Sequence, residues 1–290
     1  MIRYPRHLTF ELTAKCNFRC PYCYCVWHEF PALGRPELDV GGWLRILDKC
    51  AADGVKEILF TGGEALLRKD LFEIVDAARA RLPDAAFSLF TNASRLTAPL
   101  IDSFKERRVS LATSLQGLRT YGEMTGTRRK FNRLLSVLTT ASEREWPMAV
   151  SMTITKANCD EAADMFVAAA LSGASRIQMG AMMAEGRGRE HLDLMLTREE
   201  WERVKASIRE LPDAHVPYSF CDEFICACRT QPEDFLRKWS DPHHKPCPAG
   251  RDFGVVGPNG KFRACLHSPT VSLRRSRPPD SFCEGRPFCR

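Results

Sequence analysis

The sequence predicts an α/β fold made of a partial (βα)6 TIM-like barrel and a small cysteine-rich C-terminal domain. Two observations carry this prediction. From residue 7 to about residue 180, six short apolar runs alternate with longer amphipathic stretches, which is typical of parallel strands with helices outside. After residue 190 the alternation stops, and seven of the thirteen cysteines follow. We therefore expect a barrel core over residues 1–195 and a cysteine-rich domain over residues 196–290.

The individual elements follow from the length and period of each stretch. The predicted strands, which are short and rich in β-branched or aromatic residues, are 7–12, 57–60, 87–91, 109–115, 148–155 and 176–180. The predicted helices lie near 41–53, 70–82, 97–107, 129–143 and 160–172. The segment AEGRGRE (184–190) is interpreted as a polar link, and one more helix follows it and ends near residue 210. Residues 247–265 predict a strand, a PNG turn and a second strand.

Composition and charge narrow the class of protein. The chain is 44% hydrophobic and 27% charged and has no run of about 18 apolar residues, so we expect a soluble protein without a membrane partner. The N-terminus has no secretory pattern, which predicts a cytoplasmic location. Most of the net charge of +6 comes from residues 261–290, which hold seven Lys or Arg and two acidic residues. No aromatic residues interleave with Arg274, Arg275 and Arg277, so nucleic acid is not an expected partner.

Four cysteines lie within KCNFRCPYCYC (15–25), directly after the first predicted strand. Thiols in the cytoplasm stay reduced, so metal binding is a better explanation of such a cluster than disulfides. Cys16, Cys20 and Cys23 have the spacing CxxxCxxC, and three thiolates can bind three irons of a 4Fe-4S cluster while the fourth iron stays open. The alternative is a zinc site that takes Cys25 or His28 as its fourth ligand.

This cysteine loop resembles that of the radical S-adenosylmethionine (SAM) enzymes, which also have an aromatic residue, here Tyr22, before the last cysteine. The resemblance implies that SAM chelates the open iron. It further implies that an electron from the reduced cluster cleaves SAM, and that the resulting 5'-deoxyadenosyl radical abstracts hydrogen from a substrate. A flavodoxin or ferredoxin-type reductant is then an expected partner.

Three further segments at predicted strand ends resemble motifs of the same family. Gly62, Gly63 and Glu64 resemble its GGE motif, which implies a contact with the SAM amino group, although Ala65 stands where many members have proline. Asn92 and Ser114 lie in segments similar to the TNG and SLDG segments, which implies SAM contacts for them also. Gln116 stands where Asp or Tyr is more common in the family. For Asn92 and Ser114, a polar side chain that satisfies backbone at a strand end is the alternative interpretation.

The C-terminal cysteines resemble part of the SPASM or twitch domains of radical SAM maturases. Cys247 and Cys265 have the spacing of the opening motif, with Gly260 between them. The resemblance implies at least one auxiliary iron-sulfur cluster, which Cys283 and Cys289 would complete. A role for Cys221, Cys226 and Cys228 as further ligands stays open.

The resulting hypothesis is a radical SAM enzyme that modifies a ribosomally made peptide or protein by a crosslink, thioether, epimerisation or oxidation. One alternative is a radical SAM enzyme for a small molecule, such as a dehydrogenase or a tetrapyrrole-modifying enzyme. The alternative from another class is an iron-sulfur electron carrier or a zinc-binding interaction module. If the reaction is an oxidation, a base must take a proton from the substrate. The sequence does not single out this base; the candidates are Glu123, Asp222 and Glu223.

Overall fold

A computed structural model of the chain describes residues 3–128, 131–211, 215–221 and 248–268. Within these residues one sheet has the strand order β7-β6-β5-β4-β3-β2-β1-β8-β9. The strands are β1 His7–Glu11, β2 Glu57–Thr61, β3 Ala86–Thr91, β4 Val109–Ser114, β5 Ala149–Ile154, β6 Arg176–Ala181, β7 Tyr218–Cys221, β8 Phe253–Val256 and β9 Phe262–Arg263. All neighbouring strands are parallel except β8 and β9. The expected α/β fold with an open parallel barrel is confirmed.

Helices connect the parallel strands, most of them on the convex side of the sheet. They are α1 Val40–Asp53, α2 Leu71–Arg81, α3 Ala98–Glu106, α4 Tyr121–Thr125, α5 Asn132–Glu143, α6 Ala162–Leu171 and α7 Arg198–Arg209. The sequence did not predict α4, because five residues are too few to show a helical period. No helix of the described residues is both long and apolar enough to cross a membrane.

The main core lies between the sheet and these helices. Since side chains alternate along a strand, one face of β1 and β2 is apolar and fully buried, as at Phe10 and Phe60. Their rings pack together at 6.1 Å between centroids, and Phe10 also contacts Trp43 of α1 at 5.1 Å. The convex face of the sheet therefore supplies the packing that holds the barrel wall in place.

The concave face of the sheet has a different character. Its side chains are half-buried or exposed and mostly small or polar: Thr9, Leu59, Ser88, Phe90, Ser110, Ala112, Ser114, Ser151, Thr153 and Gln178. In a closed barrel, bulky side chains fill this space. Here the open wall leaves it accessible, and at the amino ends of β1 to β4 it forms a cleft of about 190 Å³, at the opposite end from the cysteine loop.

The C-terminal hairpin joins the barrel sheet directly. The strand β8 pairs in parallel with β1, and β9 returns antiparallel beside it, with Val255 opposite Arg263. This confirms the predicted strand, turn and strand, and Gly260 has the positive φ of 77° that the turn requires. At the other edge, β7 pairs with β6. The domain division at residue 195 stays a prediction, with strands from both sides of it in one sheet.

Candidate active site

The cysteine loop connects β1 to α1 and lies at the carboxyl edge of the sheet. Glu37 fixes its beginning, because Oε1 of Glu37 accepts hydrogen bonds from the Thr13 hydroxyl at 2.8 Å and from the Ala14 N–H at 2.9 Å. Beyond this anchor the side chain of Cys16 is exposed, and those of Cys20 and Cys23 are half-buried. The three predicted ligands therefore lie on one loop at the edge where parallel barrels place their active sites.

The Gly62–Gly63 turn at the end of β2 packs on the backbone of this loop. The N–H of Gly63 donates to the Thr13 carbonyl at 2.7 Å, and the N–H of Glu64 donates to the Lys15 carbonyl at 2.8 Å. A Cβ atom on Gly63 would lie 2.4 Å from the Lys15 carbonyl oxygen, and one on Gly62 would lie 2.4 Å from that of Thr13. The absence of side chains at these two glycines therefore lets the turn approach the cysteine loop closely.

Glu64 is buried and has three donors within the protein. Its carboxylate accepts hydrogen bonds from the Thr91 hydroxyl at 2.7 Å, the Asn92 N–H at 2.7 Å and the Leu66 N–H at 3.0 Å. Burial raises the pKa of this carboxyl, and the hydrogen bonds from Asn92, Thr91 and Leu66 oppose that shift. The side chain thus connects the ends of β2 and β3.

Asn92 extends from the end of β3 to the cysteine loop. Its Nδ2 donates to Oδ1 of Asn17 at 2.9 Å and lies 4.0 Å from Sγ of Cys16. Nδ2 of Asn17 in turn donates to the Ser94 hydroxyl at 2.8 Å. Cys16, the GGE turn and Asn92 are therefore brought together, as expected for residues that share one ligand.

Ser114 and Gln116 at the end of β4 differ in their surroundings. Ser114 is half-buried on the concave face, in register with Ser151 of β5. Gln116 is buried, and its Oε1 accepts from the Thr153 N–H at 2.7 Å. The Asn158 amide also donates to the Gln116 carbonyl at 2.9 Å. Gln116 thus fastens β4 to β5, which gives a structural reason for the departure from the family pattern.

The electrostatics of the cysteine loop distinguish Cys23 from Cys25. A hydrogen bond from the Cys25 side chain, with further help from His28, holds the pKa of the Cys23 thiol well below its usual value. The same hydrogen bond, together with burial, raises the pKa of Cys25. Burial also raises the pKa of Cys20 to about 12, although a hydrogen bond with Tyr22 opposes it. Cys25 is therefore placed as a protonated donor to Cys23.

The donor set suits an iron-sulfur cluster. Three thiolates are soft ligands of the kind that such clusters use. Among the described residues, no group of three or more Cys, His, Asp or Glu side chains converges on one point as a single metal ion would require. A cubane cluster has no need of such convergence, because each thiolate binds a different iron.

The C-terminal hairpin brings Cys265 to the same region of the barrel. Arg263 of β9 forms a fully buried ion pair with Glu11 of β1 and donates to the Ser268 carbonyl at 3.4 Å, which fixes the turn that holds Cys265. The ring of His267 in this turn contacts that of Tyr24 in the cysteine loop at 5.2 Å. Cys247, Cys283 and Cys289 lie outside the described residues.

Only some of the other candidate residues lie within the described part of the chain. Glu123 is exposed on α4, and Asp222 and Glu223 lie outside the described residues, as do Cys226 and Cys228. Cys221 ends β7, where its Sγ accepts a hydrogen bond from the Gln178 amide.

One buried acid that the sequence analysis missed is Glu161, which accepts from the backbone N–H groups of Arg119 and Thr120 at 2.9 and 3.2 Å. Glu161 thus fixes the loop that follows β4.

Fold and site together define a parallel partial barrel, and the cysteine loop at its carboxyl edge has a donor set that suits an iron-sulfur cluster. A family model described as the Radical SAM superfamily matches residues 10–168, more than half of the chain. The chain belongs to this superfamily.

Two curated relatives resemble the sequence over most of its length. The sporulation killing factor maturation protein SkfB of Bacillus subtilis (strain 168) is 31% identical over 217 residues, which are 71% of this chain and 49% of SkfB. The PqqA peptide cyclase of Xanthomonas campestris pv. campestris (strain 8004) is 28% identical over 301 residues, which cover 99% of this chain and 75% of the cyclase. The chain thus spans about half the length of SkfB.

Solved structures show the same fold. Streptococcus suis SuiB bound to its precursor peptide SuiA superposes with a TM-score of 0.68 at 16% identity, over 93% of this chain and 62% of SuiB. The protein anSMEcpe with bound AdoMet superposes with a TM-score of 0.69 at 14% identity, over 91% of this chain and 75% of the anSMEcpe chain.

Proposed function

We propose that the chain is a radical SAM enzyme that abstracts hydrogen from a ribosomally made peptide. The observation that carries the proposal is the convergence of three separate strand ends on Cys16: the cysteine loop after β1, the Gly62–Gly63 turn after β2 and Asn92 after β3. A site built only to hold a cluster for electron transfer has no need of the second and third segments.

In the proposed site, Cys16, Cys20 and Cys23 hold a 4Fe-4S cluster. When bound and reduced, such a cluster would transfer one electron to SAM, whose sulfonium C–S bond would break to give methionine and a 5'-deoxyadenosyl radical. The chain's own residues bind and orient SAM and exclude other reactions. An electron comes from a flavodoxin or ferredoxin-type reductant.

The proposed SAM contacts follow from which polar atoms the protein leaves available. Glu64 already accepts three internal hydrogen bonds, whereas among the described residues no donor occupies the carbonyl oxygens of Gly62 and Gly63. These two carbonyls are the proposed acceptors for the SAM ammonium group. Asn92 and Ser114 are proposed to contact the remainder of SAM, and Tyr22 supports Cys20 through its hydroxyl.

Two considerations favour a peptide as the substrate. The names of SkfB and the PqqA cyclase describe maturation of a killing factor and cyclisation of a peptide, and SuiB has been solved with its precursor peptide. The concave face of the sheet is also open and lined with small and polar side chains, which leaves space for a chain segment beside SAM.

An auxiliary iron-sulfur cluster is proposed on Cys265 together with Cys247, Cys283 and Cys289. The support is the hairpin turn that presents Cys265, which the buried pair of Arg263 and Glu11 holds against the barrel. Iron analysis checks this: the parent should bind about eight irons per chain if two cubanes form. A Cys265→Ala variant should lose about half of them, whereas a variant with Cys16, Cys20 and Cys23 changed to Ala should lose the other half.

The substrate class is tested by dependence of SAM turnover on a peptide. Anaerobic, reduced enzyme is mixed with SAM and with short peptides encoded beside its gene, or with a small-molecule extract of the same cells. Stimulation of 5'-deoxyadenosine release by a peptide, with a mass change in that peptide, is the expected result. Stimulation by the extract alone would contradict the peptide assignment.

A further inference from the structure

The segment that follows β6 folds against the cysteine loop. The Arg187 N–H donates to the Cys23 carbonyl at 2.8 Å, and Nη1 of Arg187 donates to the Cys20 carbonyl at 2.9 Å. The Gly186 N–H donates to Oε1 of Glu29 at 2.6 Å. One short turn therefore holds two of the three predicted cluster ligands through their backbone.

Gly186 permits this close approach. Its φ is 56°, and a Cβ atom there would lie 2.5 Å from the Cys23 carbonyl oxygen and 2.7 Å from that of Cys25. Real Cβ atoms do not approach oxygen atoms so closely, so a larger residue would push the turn away from the loop. The backbone geometry is thus built for contact with the cysteine loop, although AEGRGRE had been interpreted as a link.

The two arginines of the turn differ in their electrostatic surroundings. Arg189 forms ion pairs with Glu29 at 2.7 Å and with Glu185 at 3.6 Å, and 45% of its side chain is exposed. No carboxylate of the described residues forms an ion pair with Arg187, whose Nη2 instead lies 3.4 Å from Nε2 of His28. The charge of Arg187 is therefore not neutralised by an acid of the described residues where it meets the cysteine loop.

Fixed charges and hydrogen bonds beside an iron-sulfur cluster set its reduction potential, and residues behind the ligands orient them. On the basis of the proposed function, we propose that Arg187 is a positioning residue for the cluster. Its guanidinium holds the Cys20 carbonyl, its backbone N–H holds the Cys23 carbonyl, and its charge favours the reduced state. A nearby positive charge stabilises the more negative reduced cluster, so it makes the midpoint potential less negative.

The test compares Arg187→Gln with Arg189→Gln, which removes the same charge from the same turn, where the ion pairs of Arg189 with Glu29 and Glu185 involve no predicted cluster ligand. Both variants and the parent are reconstituted anaerobically, and iron per chain, thermal unfolding and the midpoint potential from an EPR-monitored redox titration are measured. Arg187→Gln should bind less iron and show a more negative potential in the cluster that does form, while Arg189→Gln matches the parent. Arg187→Lys, which keeps the charge and loses the fork, should restore the potential but not the iron content.

Separate outcomes distinguish this inference from the proposed function. Equal potentials and iron contents in all variants, with a normal cluster in the parent, would overturn the role of Arg187 and leave the proposed function intact. A negative shift in Arg187→Lys as large as in Arg187→Gln would overturn the contribution of charge. A parent that takes up no 4Fe-4S cluster would overturn both proposals.

Discussion

The carboxylate of Glu64 accepts a hydrogen bond from the backbone N–H of Asn92 at 2.7 Å, and this contact joins the ends of β2 and β3 beside the cysteine loop. Through it, the acid of the GGE segment determines where the Asn92 amide lies relative to Cys16. Its proposed role is therefore indirect: Glu64 shapes the SAM site, and the neighbouring glycine carbonyls contact SAM.

Glu64→Gln should destabilise the protein and weaken SAM binding together. The new amide group can accept at only one atom and turns donors toward the Thr91 hydroxyl or the Asn92 N–H, which leaves a buried donor unsatisfied at a cost of about 1–3 kcal/mol. Urea unfolding and equilibrium SAM binding measure the two effects. The exposed Glu73 of α2 offers a matched control, since Glu73→Gln should change neither. Unchanged SAM affinity in Glu64→Gln would show that the position of Asn92 does not depend on this contact.

Gly63→Ala should disrupt the cysteine loop. The added methyl group would lie 2.4 Å from the Lys15 carbonyl oxygen, so turn and loop must separate, with a destabilisation of about 1–3 kcal/mol. Gly41→Ala, where the nearest atom to the new Cβ is 3.6 Å away, is the control and should be tolerated. The measurements are thermal unfolding and iron per chain after reconstitution. Full iron content in Gly63→Ala would contradict the close packing of turn and loop.

Cys25→Ala should retain the cluster that Cys23→Ala loses. Cys25 is placed as a donor to Cys23, whose pKa it lowers, so its removal withdraws a hydrogen bond but no iron ligand. We expect iron and acid-labile sulfide close to the parent values in Cys25→Ala and a loss of most of the loop cluster in Cys23→Ala. Equal loss in both variants would instead favour Cys25 as a metal ligand.

The buried pair of Glu11 and Arg263 should make stability depend on pH. Burial raises the pKa of Glu11 from 4.5 to about 7, against the opposing effect of Arg263. Between these values the folded state binds more protons than the unfolded state, so this group's contribution to stability decreases as the pH rises from about 4.5 to about 7.

Comparing the parent with Glu11→Gln isolates this contribution, because glutamine does not titrate. Urea midpoints measured at about pH 5.5 and about pH 8 should fall more with rising pH in the parent than in the variant. Glu106→Gln, which removes an exposed acid at the end of α3, should behave as the parent does. Parallel pH profiles for the parent and Glu11→Gln would mean that the Glu11 carboxyl is charged throughout this range.

Local sequence features predict most of the barrel. All six predicted barrel strands agree with β1 to β6 within one residue, because each has a buried face whose apolar residues recur at every second position. The short motifs likewise place Cys16, Gly63 and Asn92 at the ends of successive strands, where the structure brings them together.

The remaining features depend on contacts between distant residues. The contact of Arg187 with Cys20 joins positions 167 residues apart, and AEGRGRE has no period that would indicate a partner. The pairing of β8 with β1 could not be predicted either, because the sequence of a strand does not identify the strand beside it. The partners of Glu64 were also missed, since a conspicuous acid next to glycines suggested a ligand contact more strongly than a structural one.

The central claim is that this chain cleaves SAM by radical chemistry. The most direct measurement is release of 5'-deoxyadenosine from SAM by anaerobically reconstituted, dithionite-reduced protein, beside a variant in which Cys16, Cys20 and Cys23 are all alanine. We expect release by the parent alone. No release from a parent that carries iron and sulfide and is supplied with SAM, or equal release by both proteins, would contradict the account.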